Sequence, residues 1–189
     1  MGASGSANAI VAAARQVILE RGREKLRLSA VAEAAGVSRQ TLYRWFPTKD
    51  DLLAAITESE RDLFEQRLRA TLEPLRKPAE RLDVAILFLV TYLDESMGAE
   101  AIGVDAEYAL GSLAAGLEPQ TQLIVEVLGD ALDQIPAVHA RRISRAEAAC
   151  LLLRISFSHY LVPDPEPERL VAEIRELAGL PARRGRRTA

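Results

Sequence analysis

The chain has 189 residues, 49% of them hydrophobic and 27% charged, which supports a globular core and excludes a chain that is disordered throughout. Its longest strictly apolar run, residues 84–90, is far shorter than the roughly 20 residues of a membrane-spanning helix, so we expect no membrane partner. The formal net charge of −3 conceals an asymmetry that favours a nucleic-acid-binding module at the N-terminus. Residues 1–49 hold eight basic and three acidic residues, whereas the remainder holds sixteen basic and twenty-four acidic residues.

The first two predicted helices end at glycines. From Ile10, apolar residues recur at spacings of three and four, and Gly22 is expected to end this first helix. Ser29 precedes "AVAEAAG" and is expected to cap a second helix of about two turns. Gly36 is expected to end this second helix in the left-handed conformation.

The third predicted helix is capped by Ser38 and continues to about Phe46. A rotation of 100° per residue separates an apolar face from a polar face. The apolar face carries Leu42, Trp45 and Phe46, and the polar face carries Arg39, Gln40, Tyr43 and Arg44. The next helix starts at the pair Thr48 and Asp51 and continues to Pro74.

Helical spacing continues through the rest of the chain. It predicts helices near residues 78–95, 99–115, 118–134, 144–161 and 165–178, the fourth of which opens with a capping box at Ser144 and Glu147. No segment alternates with the period of two that marks a strand, so we predict an all-α chain of about nine helices. The predicted organisation is a three-helix DNA-binding module at 1–50, a larger helical domain at 51–180 and a basic, disordered tail at 181–189.

Two short helices joined through "AAGVS" form the pattern of a helix-turn-helix. Gly36 allows the sharp turn, Val37 fills the angle between the helices, and Leu42 anchors the second helix on the first. The polar face of that second helix is then exposed, where a major groove of DNA can receive it. Arginine can pair bidentately with guanine and glutamine with adenine, so this face can recognise bases.

The run "LRLSAVAEAAGVSRQTLYRWFPTKDDLLAAI" resembles the N-terminal domain of the TetR (tetracycline repressor) family of bacterial transcriptional regulators. The resemblance covers roughly residues 8–56 and includes the "AAGVS" turn and the "TLY..F..K" core of the recognition helix. It implies phosphate contacts by Tyr43 and Lys49, backbone contacts by Thr41 and the helix starts at Ser29 and Ser38, and base contacts by Arg39, Gln40 and Arg44. Many family members have glycine in place of Gln40, which leaves the operator sequence open.

The resemblance also implies a homodimeric repressor that binds a pseudopalindromic operator in double-stranded DNA and releases it when a small molecule enters the C-terminal domain. The segment "AEAACLLLRISFSHYL" is apolar on nearly all sides and needs cover that a second subunit would supply. The predicted interface residues are Leu152, Ile155, Leu170, Ile174 and Leu177.

The predicted effector is small and mainly apolar. Its expected pocket residues are Phe64, Phe88, Tyr92, Tyr108, Arg154 and Phe157. Ordinary core packing also accounts for each of these aromatic residues. Arg154 could meet an acidic group of a ligand or pair with an acid across the dimer.

Two alternatives remain open at this point. An enzyme is disfavoured, because His139 and His159 have no metal-ligand companion at i+4 and Cys150 has no activating motif. We therefore predict no catalytic residue, metal or cofactor. A ligand-independent or protein-controlled DNA-binding regulator is the second alternative. The single cysteine lies in an apolar segment and the N-terminus has no secretory pattern, which predicts a cytoplasmic protein with a buried free thiol.

Overall fold

The computed structural model describes residues 3–97 and 101–180, so the basic tail predicted at 181–189 lies outside the described residues. Within these ranges the chain is helical and contains no strand, which confirms the all-α prediction. The helices are α1 Ala3–Arg21, α2 Leu28–Ala34, α3 Arg39–Trp45, α4 Lys49–Leu72, α5 Pro78–Met97, α6 Ala101–Val104, α7 Ala106–Leu128, α8 Pro136–His139, α9 Arg145–Leu161 and α10 Pro167–Leu177. Two stretches, Arg23–Lys25 and Gly129–Gln134, form 3₁₀ helix. None of the described helices is both long enough and apolar enough to cross a bilayer.

The helices group into two compact units, each built from two stretches of chain. Unit 1 contains the residues up to 66 together with 97–116, and unit 2 contains 67–96 together with the residues from 117 onward. Two helices, α4 and α7, each begin in unit 1 and end in unit 2. The domain limits expected from the sequence, 1–50 and 51–180, stay a prediction.

Unit 1 has a core that the first three helices share with the first half of α4. Its fully buried side chains include Ile10, Val31, Leu42, Leu52 and Ile56. Leu42 is the anchor of α3, since the rest of that short helix is largely exposed. Trp45 packs against the same core, which agrees with its predicted position on the apolar face of α3.

Helix starts follow local side-chain chemistry at three of the predicted positions. Ser38 Oγ accepts a hydrogen bond from the Thr41 N–H at 3.1 Å and caps α3. Thr48 and Asp51 satisfy each other's backbone N–H groups at 3.0 and 3.1 Å at the start of α4. The capping box predicted at the start of α9 is also present. Each of these pairs lies within four residues, so no tertiary contact is needed to form it.

The prediction that Ser29 caps α2 is wrong. The helix begins at Leu28, with Arg27 at the N-cap and no side-chain cap, so Ser29 lies inside the first turn. The Arg27 carbonyl already accepts hydrogen bonds from Ala30 and Val31, at 3.0 and 3.1 Å. Leu28 packs against the core of unit 1, and this burial outweighs the capping preference of serine.

The predicted break between helices 99–115 and 118–134 is also wrong. The structure has a short α6 and then one continuous α7, with Pro119 inside it. Asp105 starts α7, because its side chain accepts the Tyr108 N–H at 3.0 Å. Buried Leu113 and Ile124 lie on either side of the proline at helical spacing, so burial holds the helix together despite the missing N–H.

One arginine side chain in unit 2 donates hydrogen bonds to carbonyl groups at the C-terminal ends of two helices. The Arg81 guanidinium donates to the carbonyl oxygens of Leu72 at 3.1 Å and Leu75 at 3.4 Å, at the end of α4. It also donates to the carbonyl of Val127 at 2.6 Å, near the end of α7. Carbonyl groups at helix ends lack intrahelical partners, so this side chain supplies donors where the backbone cannot.

Candidate DNA-binding site

The polar face of α3 is exposed in the structure. Arg39, Gln40, Tyr43 and Arg44 are all exposed, and 52% of Tyr43 is accessible to solvent. Within the described ranges, neither arginine pairs with a carboxylate. The opposite face holds the fully buried Leu42. The helix therefore presents two uncompensated guanidinium groups, an amide and a phenol on one side of a firmly packed anchor.

The turn before α3 depends on a positive backbone φ. Gly36 has φ 65°, and the N–H of the following Val37 donates to the Ala32 carbonyl at 2.9 Å. Apart from Gly36 itself and its two chain neighbours, no residue has an atom within 4 Å of the position that a Cβ on Gly36 would take. Backbone conformation and not space is thus the reason for glycine here.

The two serines and Thr41 occupy different positions in the module. Ser29 is exposed in the first turn of α2, and Ser38 is exposed at the start of α3. Thr41 is half-buried, with its hydroxyl 2.9 Å from that of Ser38. Their assignment as DNA-backbone contacts stays a prediction.

Lys49 is the first residue of α4, and its ammonium has a partner within the protein. Its Nζ donates to the Arg23 carbonyl at 2.7 Å. An ammonium has three N–H donors, so two remain for a phosphate. The same lysine can therefore fix the segment after α1 and contact DNA, although the second role stays a prediction.

The segment after α1 is tied to α7 as well. The Arg23 N–H donates to Asp105 Oδ2 at 2.7 Å, and the Arg23 guanidinium lies 3.1 Å from the Glu107 carboxylate. Hydrogen bonds from the backbone of Tyr108 foremost, and also of Arg23, hold the pKa of Asp105 below its usual value, while burial acts in the opposite direction. Sequence reasoning missed Asp105, although aspartate directly before a helical segment is a recognisable cap.

Arg27 is a second residue that sequence reasoning missed. It is exposed at the N-cap of α2 and has no ion-pair partner in the part of the chain that the structure describes. Its signal in the sequence is the basic run "RGREKLR" directly before the helix-turn-helix. The side chain adds a cation to the same module as α3.

The six residues predicted to line an effector pocket divide between the units. Phe64 and Tyr108 belong to unit 1, and the other four belong to unit 2. In unit 2, the rings of Phe88 and Tyr92 lie 5.1 Å apart, and the Arg67 guanidinium lies 5.9 Å from the Tyr92 ring. Burial, together with the nearby charge of Glu60, raises the pKa of Tyr108 to about 12. The pocket assignment stays a prediction.

The helix α9 departs from expectation at one residue. Cys150, expected to be buried, is only partly buried. Arg154, one turn later, is exposed, and its Nε lies 3.4 Å from the Cys150 Sγ. Phe157 is partly buried.

The residues predicted to form a dimer interface differ in exposure within the single chain. Leu152 and Ile174 are buried, Ile155 and Leu170 are partly buried, and Leu177 is 86% exposed. Further exposed apolar residues near the end of α9 are Leu161 and Val162, and Leu151 is exposed about two turns into the helix. The interface set stays a prediction.

A helix-turn-helix with an exposed basic face on α3 is the arrangement by which helix-turn-helix regulators place a recognition helix in the major groove of DNA. Residues 10–56 match the sequence model described as "Bacterial regulatory proteins, tetR family". The match confirms the resemblance over this N-terminal segment.

Relatives support the same class. The chain is 32% identical over 81 residues to an uncharacterized HTH-type transcriptional regulator, Rv1255c, from Mycobacterium tuberculosis (strain ATCC 25618 / H37Rv), an alignment that covers 43% of this chain and 40% of the relative. The chain therefore spans less than half the length of that relative.

Two solved structures share the fold. One is AibR in complex with isovaleryl coenzyme A and operator DNA, with a TM-score of 0.60, 21% identity, and coverage of 92% of this chain and 96% of that chain. The other is FadR from Bacillus subtilis in complex with stearoyl-CoA, with a TM-score of 0.59, 17% identity, and coverage of 90% and 96%. Similarity at this level of identity shows the fold alone.

Proposed function

We propose that the protein is a homodimeric transcriptional repressor that binds a pseudopalindromic DNA operator and is released by a small, mainly apolar ligand. The observation that carries the proposal is the exposed face of α3, where Arg39 and Arg44 have no carboxylate partner within the described ranges. The protein would act in the cytoplasm and would not be an enzyme. Repression is the usual sense in the family.

DNA recognition would divide between phosphates and bases. With α3 in the major groove, Arg39, Gln40 and Arg44 would contact base edges. Tyr43 and Lys49 would contact phosphates, which position the protein but do not specify sequence. Arg27, exposed at the N-cap of α2, would add a further phosphate contact.

The effector class is supported by the two structural neighbours. AibR is described with isovaleryl coenzyme A, and the Bacillus subtilis FadR with stearoyl-CoA. Both ligands join an apolar acyl group to a polar carrier. An acyl thioester or a related small molecule with an apolar part is therefore the effector class that we propose, with Phe88, Tyr92 and Phe157 as candidate contacts in unit 2.

The effect of the ligand on DNA would follow from the two helices that continue from one unit into the other. α7 begins at a junction where Asp105 is bonded to the Arg23 N–H, and α4 begins at Lys49, which is bonded to the Arg23 carbonyl. A ligand can shift the DNA-binding equilibrium only if it binds the released state more tightly than the DNA-bound state. A ligand that binds more tightly when α4 or α7 has left its DNA-bound position would meet this condition.

The test begins with the operator, found by selecting DNA fragments that the purified protein retains. Gel-shift titration of that operator with acyl-CoA thioesters of different chain length should lower the affinity at micromolar to millimolar ligand. The family-typical palindrome should be visible in the selected fragments. If DNA binding is specific but no acyl compound or metabolite of neighbouring genes reduces it, the ligand-independent regulator becomes the better description.

A further inference from the structure

A surface cavity of about 660 Å³ lies in unit 2, between the 3₁₀ segment Gly129–Gln134, α8 and the start of α9. Its charged wall residues are Asp133, Arg141, Arg142, Arg145 and Glu147, with His139 beside them. None of the residues predicted from the sequence to bind an effector lines it. Small-molecule sites typically measure about 300–1,000 Å³, so this cavity can hold a ligand much larger than a single inorganic ion.

The walls of the cavity are held by local hydrogen bonds. The backbone N–H groups of Arg141 and Arg142 each donate to a carbonyl oxygen of α8 at 2.9 Å. Arg141 has φ 54°, in the left-handed region that residues other than glycine rarely adopt. On the other side, Ser144 and Glu147 form the capping box of α9. The two arginines thus extend from a turn that is ordered without a ligand, which reduces the entropy cost of binding one.

Charges in the cavity are not balanced. Arg145 is bound to Asp133 by two hydrogen bonds, at 2.9 and 2.5 Å, so these charges neutralise each other. One carboxylate oxygen of Glu147 accepts the Ser144 N–H at 2.7 Å. Arg141 and Arg142 are exposed, and within the described ranges they have no ion-pair partner. The guanidinium groups of these two sequence-adjacent residues therefore remain for an external anion.

We propose that this cavity binds the phosphate groups of a small phosphorylated ligand through Arg141 and Arg142. Guanidinium groups bind phosphate through paired hydrogen bonds, and two adjacent arginines match the multiple charges of a phosphate better than the single charge of a carboxylate. The proposal deepens the proposed function by naming the chemistry of the polar end of the effector. Only the link to DNA release rests on that function, because phosphate binding can be measured without DNA.

The test is isothermal titration of the full chain, without DNA, at near-physiological salt. Coenzyme A, octanoyl-CoA, pyrophosphate and octanoate serve as ligands. The variant R141Q/R142Q should bind the coenzyme A compounds at least about tenfold more weakly, the loss expected for a charge-assisted contact. The matched control is R76Q/K77Q, which removes two positive charges from exposed positions of unit 2 and should bind like the wild type within about twofold. Octanoate, which has no phosphate, should be insensitive to both changes.

Comparing pyrophosphate with coenzyme A distinguishes the source of the phosphate. If pyrophosphate binds as tightly as coenzyme A, the site binds free phosphate compounds. If coenzyme A binds much more tightly, the site binds the phosphates of the coenzyme A carrier. If R141Q/R142Q loses its cooperative thermal transition, R142Q alone replaces it, since Arg142 does not have the positive φ. Binding of every phosphate compound equal in variant and wild type, or absent at millimolar ligand, would overturn the site.

Gel-shift experiments distinguish failure of the cavity proposal from failure of the proposed function. Operator release by octanoyl-CoA that persists unchanged in the R141Q/R142Q protein would show that the cavity is not the effector site and would leave the ligand-responsive repressor intact. Coenzyme A binding that depends on both arginines but has no effect on DNA would support the site and contradict the effector role.

Discussion

Asp105 accepts a hydrogen bond of 2.7 Å from the backbone N–H of Arg23, a residue 82 positions earlier in the chain. Its second oxygen accepts the Tyr108 N–H and caps α7. Next to this contact, Gly22 has φ 83°, and a Cβ there would lie 3.4 Å from the Val104 carbonyl oxygen. One carboxylate therefore joins the start of α7 to the segment that leads into the helix-turn-helix.

Replacing Asp105 with alanine should destabilise unit 1, because two backbone N–H groups lose their acceptor at once. The free energy of unfolding should fall by about 1–3 kcal/mol, measured by urea denaturation. Asp62→Ala is the control, since it removes the same charge from an exposed position on α4 and should change stability by less than about 0.5 kcal/mol. Equal stability of the two variants would show that the hydrogen bonds of Asp105 contribute nothing to the free energy of unfolding.

The Asp105 carboxylate should make the free energy of unfolding depend on pH in the acidic range. Hydrogen bonds from Tyr108 and Arg23 favour its charged form, so the folded pKa lies below the value of 3.8 for an unperturbed group. A lowered pKa contributes stability that is present above pH 3.8 and is lost as the pH falls through the folded pKa. Asp105→Asn cannot titrate at this position, so its unfolding free energy should fall less steeply than that of the wild type below pH 3.8. If the unfolding free energies of the wild type and Asp105→Asn fell equally steeply below pH 3.8, the lowered pKa of Asp105 would be contradicted.

Lys49 and the α3 residues should affect DNA binding in different ways. Lys49→Ala should weaken binding to all DNA sequences about equally and lower the salt slope by about one unit per site. Arg39→Ala or Gln40→Ala should relax preference at particular base pairs, at about 1–3 kcal/mol each. Binding measured over a library of operator variants at several salt concentrations distinguishes these effects. If Lys49→Ala changed base preference and the α3 variants did not, the helix would dock differently.

Lys49 needs a stability measurement beside the binding one, because its ammonium also holds the Arg23 carbonyl. We expect Lys49→Ala to lower the free energy of unfolding by about 1 kcal/mol. Arg44→Ala, which removes an exposed charge with no partner in the described part of the chain, should leave stability nearly unchanged. If Lys49→Ala is destabilised and Arg44→Ala is not, part of the DNA affinity lost in Lys49→Ala comes from destabilisation of the helix-turn-helix module and not from a lost phosphate contact.

Arg81 should be among the most sensitive charged residues of unit 2. Arg81→Met removes the donors to three carbonyl oxygens at the ends of α4 and α7, and the free energy of unfolding should fall by about 2–4 kcal/mol. Arg76→Met, at an exposed position just before α5, is the matched control and should cost less than about 0.5 kcal/mol. Urea denaturation monitored by circular dichroism measures both. A loss below 1 kcal/mol for Arg81→Met would mean that water replaces the guanidinium at these carbonyls.

Local patterns predicted the parts of the molecule that short-range chemistry determines. The start of α3 follows from Ser38, and the start of α4 follows from Thr48 and Asp51, because each cap bonds a residue only three positions away. The exposed face of α3 followed from angular position alone. For Ser29 the local preference was misleading, since burial of Leu28 decided where the helix begins.

Contacts between distant residues could not be predicted in this way. Lys49 meets the Arg23 carbonyl across 26 positions and Asp105 meets the Arg23 N–H across 82, and neither pairing has a signature in sequence spacing. Pro119 inside α7 is a related case, because burial on both sides of the proline outweighs its local tendency to end a helix. The cavity beside α9 likewise forms only when three segments are folded together.

The proposed dimer can be tested at positions that do not affect the core of a single chain. Leu152 and Ile174 belong to the predicted interface, but they are only 6% and 2% exposed, so arginine there would unfold the chain. Leu151 is 52% exposed on the neighbouring face of the same helix, and Leu177 is 86% exposed at the end of α10. These two residues are the better probes, because a single subunit does not bury them.

We expect Leu151→Arg combined with Leu177→Arg to give a folded monomer with an intact helix-turn-helix. If a second copy of the chain covers these side chains, two charges in each subunit become buried without partners, which costs several kcal/mol and shifts association toward the monomer. Tight operator binding should then be lost, because specific binding needs two recognition helices about 34 Å apart on the DNA. Light scattering measures the mass, and gel shift measures the binding.

Leu87→Arg on α5 is the control, since Leu87 is exposed outside the predicted interface and should leave the dimer intact. A wild-type protein that is monomeric at micromolar concentration and still binds a palindromic operator tightly as a single copy would contradict the dimer.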